Sequence, residues 1–388
     1  MKKLIENTRE HSIEHGPIPF WSWNSKLEPQ ELRRQLRNMR SLHMNGAFMH
    51  ARTGLSTEYL SEDWYNCIRE CVDEAEKLGM EAWCYDENGW PSGFGGGELL
   101  EDPENWATFI GLEESDKYPD APSGEPTHKV GEIGKGDPIL GVYVIRDGKC
   151  IKVEGDCGAD KYYVVRQGFD PSYVDTLNAA ITRKFIAHTY ETYKEKVGIS
   201  ENMPGFFTDE PQYYRYEVPW STLLPAEFEK RYGLNIFDEL AAMFIDFDGA
   251  EVFRYRYHKM VHQLFINGFA KEIYEWCEKN GARLTGHAVE EFSLSGQMLC
   301  CGGVMPFYEY EHIPGIDYLG RNLVNDMGPR QLGSVCAQLG KKKAITENFA
   351  CCGWDVLPNE IKNIAELQYA GGVNMMCHHL YPYTVKGQ

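Results

Sequence analysis

The 388-residue chain carries 58 acidic and 39 basic side chains, a formal net charge of −19. That charge argues against nucleic acid or an anionic membrane surface as partner, because each needs a basic face. The 12 cysteines include no Cys-x-x-Cys pair and no zinc-finger spacing, so a metal cluster is not expected.

The chain opens on Met1-Lys2-Lys3-Leu4-Ile5-Glu6-Asn7, which turns polar too early for an export signal and predicts a cytoplasmic protein. From there, short apolar runs alternate with helical patterns. Strands are expected over 18–23, 47–51, 81–85, 205–208, 283–286, 316–319, 344–346 and 373–377. Helices are expected over 29–42, 61–78, 178–197, 252–280 and 359–370, several opening at a capping residue or an early proline. Eight such repeats predict a single α/β domain over 1–388, a (β/α)8 TIM barrel. Residues 98–168 interrupt the alternation. They are rich in Gly, Pro and acid, with period-2 stretches at 140–145 and 162–165, and predict a small β-rich insertion after strand 3 that walls the catalytic face. After the eighth strand the chain reads Leu380-Tyr381-Pro382-Tyr383-Thr384-Val385-Lys386-Gly387-Gln388 without a helical pattern, so the barrel is expected to lack its last helix. An apolar patch left uncovered there is a candidate homodimer surface. No run approaches the roughly 20 apolar residues of a membrane span.

The chemistry is expected where strands end, because α/β folds deliver their functional side chains at strand C-termini. Glu210 follows the apolar run Gly205-Phe206-Phe207-Thr208 and precedes Pro211, which ends the strand. Asp209 beside it is an orienting group or a ligand, and helix capping is the structural alternative for either acid. Glu347 closes the seventh strand, with Asn348 and a loop bearing Trp354 after it. Strands four and seven of an eight-stranded barrel lie nearly opposite, so Glu210 and Glu347 are placed to flank one glycosidic bond. Further candidates at strand ends are His50 and Arg52 on the second, Tyr85, Asp86 and Glu87 on the third, His287, Glu290 and Glu291 on the fifth, Asp317 on the sixth, and His378 and His379 on the eighth. Trp23, Tyr85 and Trp354 are candidate walls for a sugar, since pyranose C–H faces are apolar, although most of the aromatic side chains belong to the core. Gly93-Phe94-Gly95-Gly96-Gly97 lacks a Walker lysine and a dinucleotide fingerprint, so no nucleotide cofactor is expected.

Several of these segments together resemble the glycoside hydrolase family 106 group of α-L-rhamnosidases and their relatives. They are Pro19-Phe20-Trp21-Ser22-Trp23-Asn24, Tyr85-Asp86-Glu87 with Trp90-Pro91-Ser92-Gly93, Phe207-Thr208-Asp209-Glu210-Pro211, Leu284-Thr285-Gly286-His287, Pro314-Gly315-Ile316-Asp317, and Thr346-Glu347 with Gly353-Trp354. The resemblance implies hydrolysis of a terminal sugar with inversion, Glu210 as general acid, Glu347 as general base, and rhamnose as leading substrate. It also implies a calcium ion near the sugar hydroxyls, for which Glu290, Glu291 and His378 are the candidate ligands. Members of that group are usually longer, with β-sandwich domains after the barrel. Two competing readings are a carbohydrate-binding barrel without activity and a metal-dependent hydrolase. The latter is disfavoured by a first strand without His-x-His.

Overall fold

A computed structural model describes residues 16–213, 217–321 and 325–386. The opening residues 1–7 and Gln388, read above, lie outside the described residues. In chain order the strands are β1 (Phe20–Trp23), β2 (Gly46–Ala51), β3 (Glu81–Tyr85), β4 (Trp106–Ser115), β5 (Ile139–Arg146), β6 (Lys149–Lys152), β7 (Tyr162–Val174), β8 (Gly205–Asp209), β9 (Val218–Trp220), β10 (Arg283–His287), β11 (Gly315–Tyr318), β12 (Ile345–Asn348), β13 (Met375–His378) and β14 (Tyr381–Pro382).

Two sheets are wholly parallel: one of six strands in the order β10-β8-β3-β2-β1-β14, and one of three in the order β11-β12-β13. Backbone groups bridge both seams between them. The Thr285–Ile313 pair joins β10 to the segment entering β11, and Ile18 donates its N–H to Met376 O at 2.9 Å. The last strand is split, because β13 pairs with β12 whereas β14, two residues on, pairs with β1. Side chains fasten the segment after β14 to the first repeat. Asn24 Oδ1 accepts from Thr384 N at 3.0 Å, Gln35 Nε2 donates to Tyr383 O at 2.8 Å, and Tyr383 Oη accepts from Glu28 N at 3.0 Å.

Strand side chains alternate between two apolar layers. Phe20, Phe48, Trp83, Tyr85, Phe207, Ile345, Met375 and Cys377 pack together on the inner face. Trp21, Trp23, Ala47, Phe206, Leu284, Ile316 and Met376 pack outward with the helices. Helices begin and end where local chemistry favours it. Ser61 Oγ accepts from Trp64 N at 3.2 Å to cap Glu62–Leu78, and Gly79 stops that helix with φ 63°. The two longest expected helices are each interrupted by a π turn, at Ala187–Glu191 and Ile266–Ala270. In the second, Gly268 lets the carbonyl of Leu177 approach where a Cβ would come within 2.9 Å. A helix over Met327–Leu339, not expected from the sequence, covers β11.

A five-stranded antiparallel sheet, ordered β6-β5-β7-β4-β9, stands apart from the parallel strands. It runs past residue 168, since β7 continues to Val174 and β9 joins from a later part of the chain. Its contact with the strand ends is specific: Tyr173 Oη donates to Ser92 O at 2.6 Å.

Parallel pairing of β8 and β10 depends on Gly286. With φ 151°, its Cβ would stand 2.0 Å from the carbonyl oxygen of Thr208. Gly286→Ala is expected to lower stability by about 3 kcal/mol or more, read by denaturant unfolding; an unchanged midpoint would show that the two strands can separate freely.

Candidate active site

The inner-face alternation brings one polar side chain from the C-terminal end of most parallel strands into one largely buried cluster. His50 of β2, Tyr85 of β3, Asp209 of β8, His287 of β10, Asp317 of β11 and Glu347 of β12 share the parity of the inner apolar residues. Register then sets neighbours, with His287 beside Asp209 and Asp317 beside Glu347. Glu210, one residue beyond β8, adopts φ 45°. This left-handed turn carries its side chain out of the strand alternation and back towards Asp317.

His287 is the centre of the cluster and is 1% exposed. Its Nδ1 lies 2.9 Å from the carbonyl of Ala288, an acceptor only, so Nδ1 carries a proton. Nε2 faces two carboxylates, Glu347 Oε2 at 2.8 Å and Asp209 Oδ1 at 3.3 Å. Burial alone works against a charged imidazole, but its hydrogen bond to Glu347 and the charge of Asp209 hold its pKa well above the usual value. His287 is therefore an imidazolium donating from both nitrogens, to the Ala288 carbonyl on one side and to Glu347 and Asp209 on the other. Tyr85 Oη, also in contact with Asp209, adds a donor there, and its ring stacks on His50 at 3.7 Å.

The other pair is arranged differently. Glu210 and Asp317 share a hydrogen bond, which between two carboxyls requires a proton. Burial and the charge of Asp209 push Glu210 up to about 8, and burial and Glu347 push Asp317 up to about 7. Glu347 is also raised to about 7 by burial, against which the His287 hydrogen bond pulls. Both carboxyls of the Glu210–Asp317 pair are pushed towards the protonated form, and the pair holds a proton between them. Beneath them Glu291 is wholly buried. Its Oε1 is 3.4 Å from Asp317 N, its Oε2 has no hydrogen-bond partner among the described residues, and burial raises its pKa well above the usual carboxylate range.

Other expected site residues lie elsewhere. Trp23 has the opposite parity and packs in the outer layer between Trp21 and Trp64, at ring distances of 5.4 and 5.0 Å, with no face open to a sugar. Asn348 likewise points outward, its amide against Met376 Sδ at 2.6 Å. Trp354 is fully exposed on its loop, away from the buried carboxyls. Asp86 and Glu87 are spent on the loop after β3. Asp86 accepts from Ser92 Oγ and Tyr190 Oη, each at 2.6 Å. Glu87 accepts backbone N–H groups of Asn88, Gly93, Phe94, Gly95 and Gly96. Ser92, absent from the expected set, ties that loop to β8 by accepting from Asp209 N at 2.8 Å. A second missed residue, Trp90, lies half-exposed under the Arg52 guanidinium at 4.6 Å. The Trp-Pro-Ser-Gly run marked that loop without distinguishing its members. Arg52 Nη1 and Nη2 donate to His50 Nε2 at 3.2 Å and His379 Nε2 at 3.4 Å, and His379 Nε2 is 3.9 Å from Glu347 Oε1.

The expected calcium ligands do not converge. Glu290 is exposed, Glu291 is the wholly buried acid, and His378 packs its ring on Phe349 at 5.2 Å. Among the described residues, the group able to surround an ion is Asp209, His287 and Glu347, whose ligand atoms lie within 4.8 Å of one another. That set does not suit calcium, which takes roughly 6–8 oxygen ligands, and His287 would first have to lose the proton it shares with both acids.

No protein-family model and no curated protein matches the chain. Among solved structures, the rhamnosidase from Novosphingobium sp. PP1Y is similar at a TM-score of 0.70 and 12% identity, over 98% of this chain and 56% of that one. The β-galactosidase from the psychrophilic Marinomonas ef1 is similar at a TM-score of 0.50 and 8% identity, over 93% and 54%. The chain thus spans about half the length of either. The likeness shows a glycoside hydrolase-like fold, at a distance that does not single out family 106. No helix among the described residues is long and apolar enough to cross a membrane.

Two predictions follow from the charges. Asp86, Glu210, Asp317 and Glu347 all have folded pKa values of about 7 or 8, above their unfolded values. The folded state therefore binds more protons than the unfolded one, and stability falls as pH rises from about 4 through about 8. His287, also raised, contributes with the same sign, being fully stabilising below about pH 6.5 and losing that contribution as pH rises through its folded value. The melting temperature should be higher at about pH 5.5 than at about pH 8.5, and the Glu210→Gln, Asp317→Asn double variant should flatten the slope; a rise with pH would contradict the assignment. Dialysis against EDTA is expected to leave the melting temperature unchanged and elemental analysis to find no stoichiometric calcium or zinc. One ion per chain whose removal destabilises the fold would place it on Asp209, His287 and Glu347.

Proposed function

We propose that the chain is a glycoside hydrolase that removes a terminal sugar, with Glu210 as general acid and Glu347 as general base. The observation that carries this reading is the unequal surroundings of two buried carboxyls: Glu347 is bonded through Oε2 to the His287 imidazolium at 2.8 Å, whereas Glu210 turns towards a second acid, Asp317, and has its pKa raised by burial and by Asp209. Acetal hydrolysis needs that inequality, since one acid must protonate the leaving oxygen while the other accepts a proton from water. Glu347 binds His287 through Oε2, leaving Oε1 to take the water's proton. Asp317, paired with Glu347 across the strands and facing Glu210, is positioned to relay the proton that Glu347 takes from water back to Glu210 between turnovers.

The scaffold for this chemistry is proposed to be an eight-stranded (β/α)8 barrel. The order β1, β2, β3, β8, β10, β11, β12, β13 is continuous through the Thr285–Ile313 bridge and returns to β1 through Ile18 and β14. Likeness to a rhamnosidase supports a 6-deoxyhexose as the first sugar to assay, with inversion as the expected outcome.

Glu347→Gln and Glu210→Gln should each lower kcat by roughly 10²-fold or more while leaving the chain folded at the assay temperature. For Glu210→Gln the loss should shrink on aryl glycosides whose leaving groups need no protonation. Proton NMR of the first-formed product should show the anomer opposite to that of the substrate. Wild-type activity should fall as pH rises through about 8, where Glu210 loses its proton. Near-normal turnover by Glu347→Gln would remove the assignment.

A further inference from the structure

Arg52 stands out electrostatically. In a chain of net charge −19, Arg33, Arg34, Arg37, Arg166 and Arg283 each face a carboxylate. The polar partners of the Arg52 guanidinium among the described residues are instead two imidazoles, those of His50 and His379. An imidazole nitrogen that accepts from a guanidinium must be unprotonated, so both partners are neutral and, among the described residues, the arginine has no carboxylate in direct contact. Two of its five N–H groups are used in these bonds and three remain.

Those donors lie beside a cavity of about 310 Å³ lined by Arg52, Thr53, Glu58, Tyr59, Asn88 and Trp90, among others. Glu58, the acid of the lining, is exposed and forms no ion pair with Arg52. Trp90 holds the guanidinium on one face of its ring at 4.6 Å and remains half-exposed, a flat surface of the kind on which a pyranose packs. The cavity's arginine is near the proposed catalytic base: His379 Nε2 lies 3.4 Å from Arg52 Nη2 and 3.9 Å from Glu347 Oε1. An anion approaching this cleft meets Asp209, Glu210, Asp317 and Glu347, and a guanidinium with no carboxylate in direct contact is the feature that would admit it.

We propose that the Arg52–Trp90 cavity binds a sugar ring bearing an oxyanion, the carboxylate of a uronic acid or a sulfate ester, so that the substrate is an acidic saccharide. The inference rests on the glycosidase reading for its substrate but not for its binding site. The two neutral imidazoles hold the guanidinium in one orientation, the indole packs on the ring, and the remaining N–H groups take the anionic oxygens.

The test is a titration of the whole wild-type chain with glucuronate, with glucose 6-sulfate and with glucose at matched ionic strength, followed by tryptophan fluorescence and by calorimetry. Glucuronate or glucose 6-sulfate should bind roughly tenfold or more tightly than glucose, and the tighter of the two names the oxyanion. The preference should weaken in high salt and disappear in Arg52→Gln. Equal affinity for all three sugars, or an anion preference that survives in Arg52→Gln, would overturn the proposal. These titrations need no turnover: anion-selective binding in a chain without hydrolytic activity would remove the proposed function and keep the site. Hydrolysis confined to neutral saccharides, with no anion-selective binding, would do the reverse.

Discussion

One buried cation organises the strand ends. His287 sits where β8, β10 and β12 converge, its Nδ1 fixed by the carbonyl of Ala288 and its Nε2 shared by Asp209 and Glu347. Its positive charge offsets the crowding of two buried acids whose ligand atoms lie within 4.8 Å of one another. Burial first, and then the charges of Asp209 and Glu347, raise Glu210 and Asp317 on the other side of the cluster. The division into an acid side and a base side thus follows from which carboxyls that cation touches, and the whole group titrates as a unit rather than residue by residue.

The surrounding structure keeps that group in register. Backbone pairing places His287 opposite Asp209 and Asp317 opposite Glu347. Ser92 and Tyr173 connect the loop after β3 to β8 and to the antiparallel sheet. Glu87 has its carboxylate filled by backbone donors of the same loop, so the loop presenting Trp90 is shaped by a buried acid that has no capacity left for a ligand. The acids of β3 support the site, while those of β8, β11 and β12 form it.

All eight core strands were legible in the sequence because each is a short apolar run broken at once by polar or turn-forming residues, and the ends that carry Asp209, Glu210, His287, Asp317 and Glu347 could be named from it. The face each residue presents was not legible. Strands buried on both sides lack polar alternation, so nothing in Phe20-Trp21-Ser22-Trp23 shows that Phe20 points inward and Trp23 outward, or that Asn348 turns away when Glu347 turns in. The role of Glu87 was hidden for another reason: its partners are backbone N–H groups, which every residue but proline has. The helix at Met327–Leu339 was missed because Gly328, Pro329 and Gly333 dilute its apolar period.

The split last strand has a consequence for when the protein becomes a protein. Tyr381 and Pro382 lie against β1, and Tyr383 and Thr384 bond to Asn24, Glu28 and Gln35, more than three hundred residues earlier. During synthesis the first repeat leaves the ribosome long before its edge can be covered. The nascent chain therefore keeps one edge of β1 uncovered until residues 381–384 have been made. His379, one of the two imidazoles that hold Arg52, arrives at the same late moment. Covering the edge of β1 and fixing Arg52 therefore depend on one short segment, residues 379–384, and a chain halted before it would lack both.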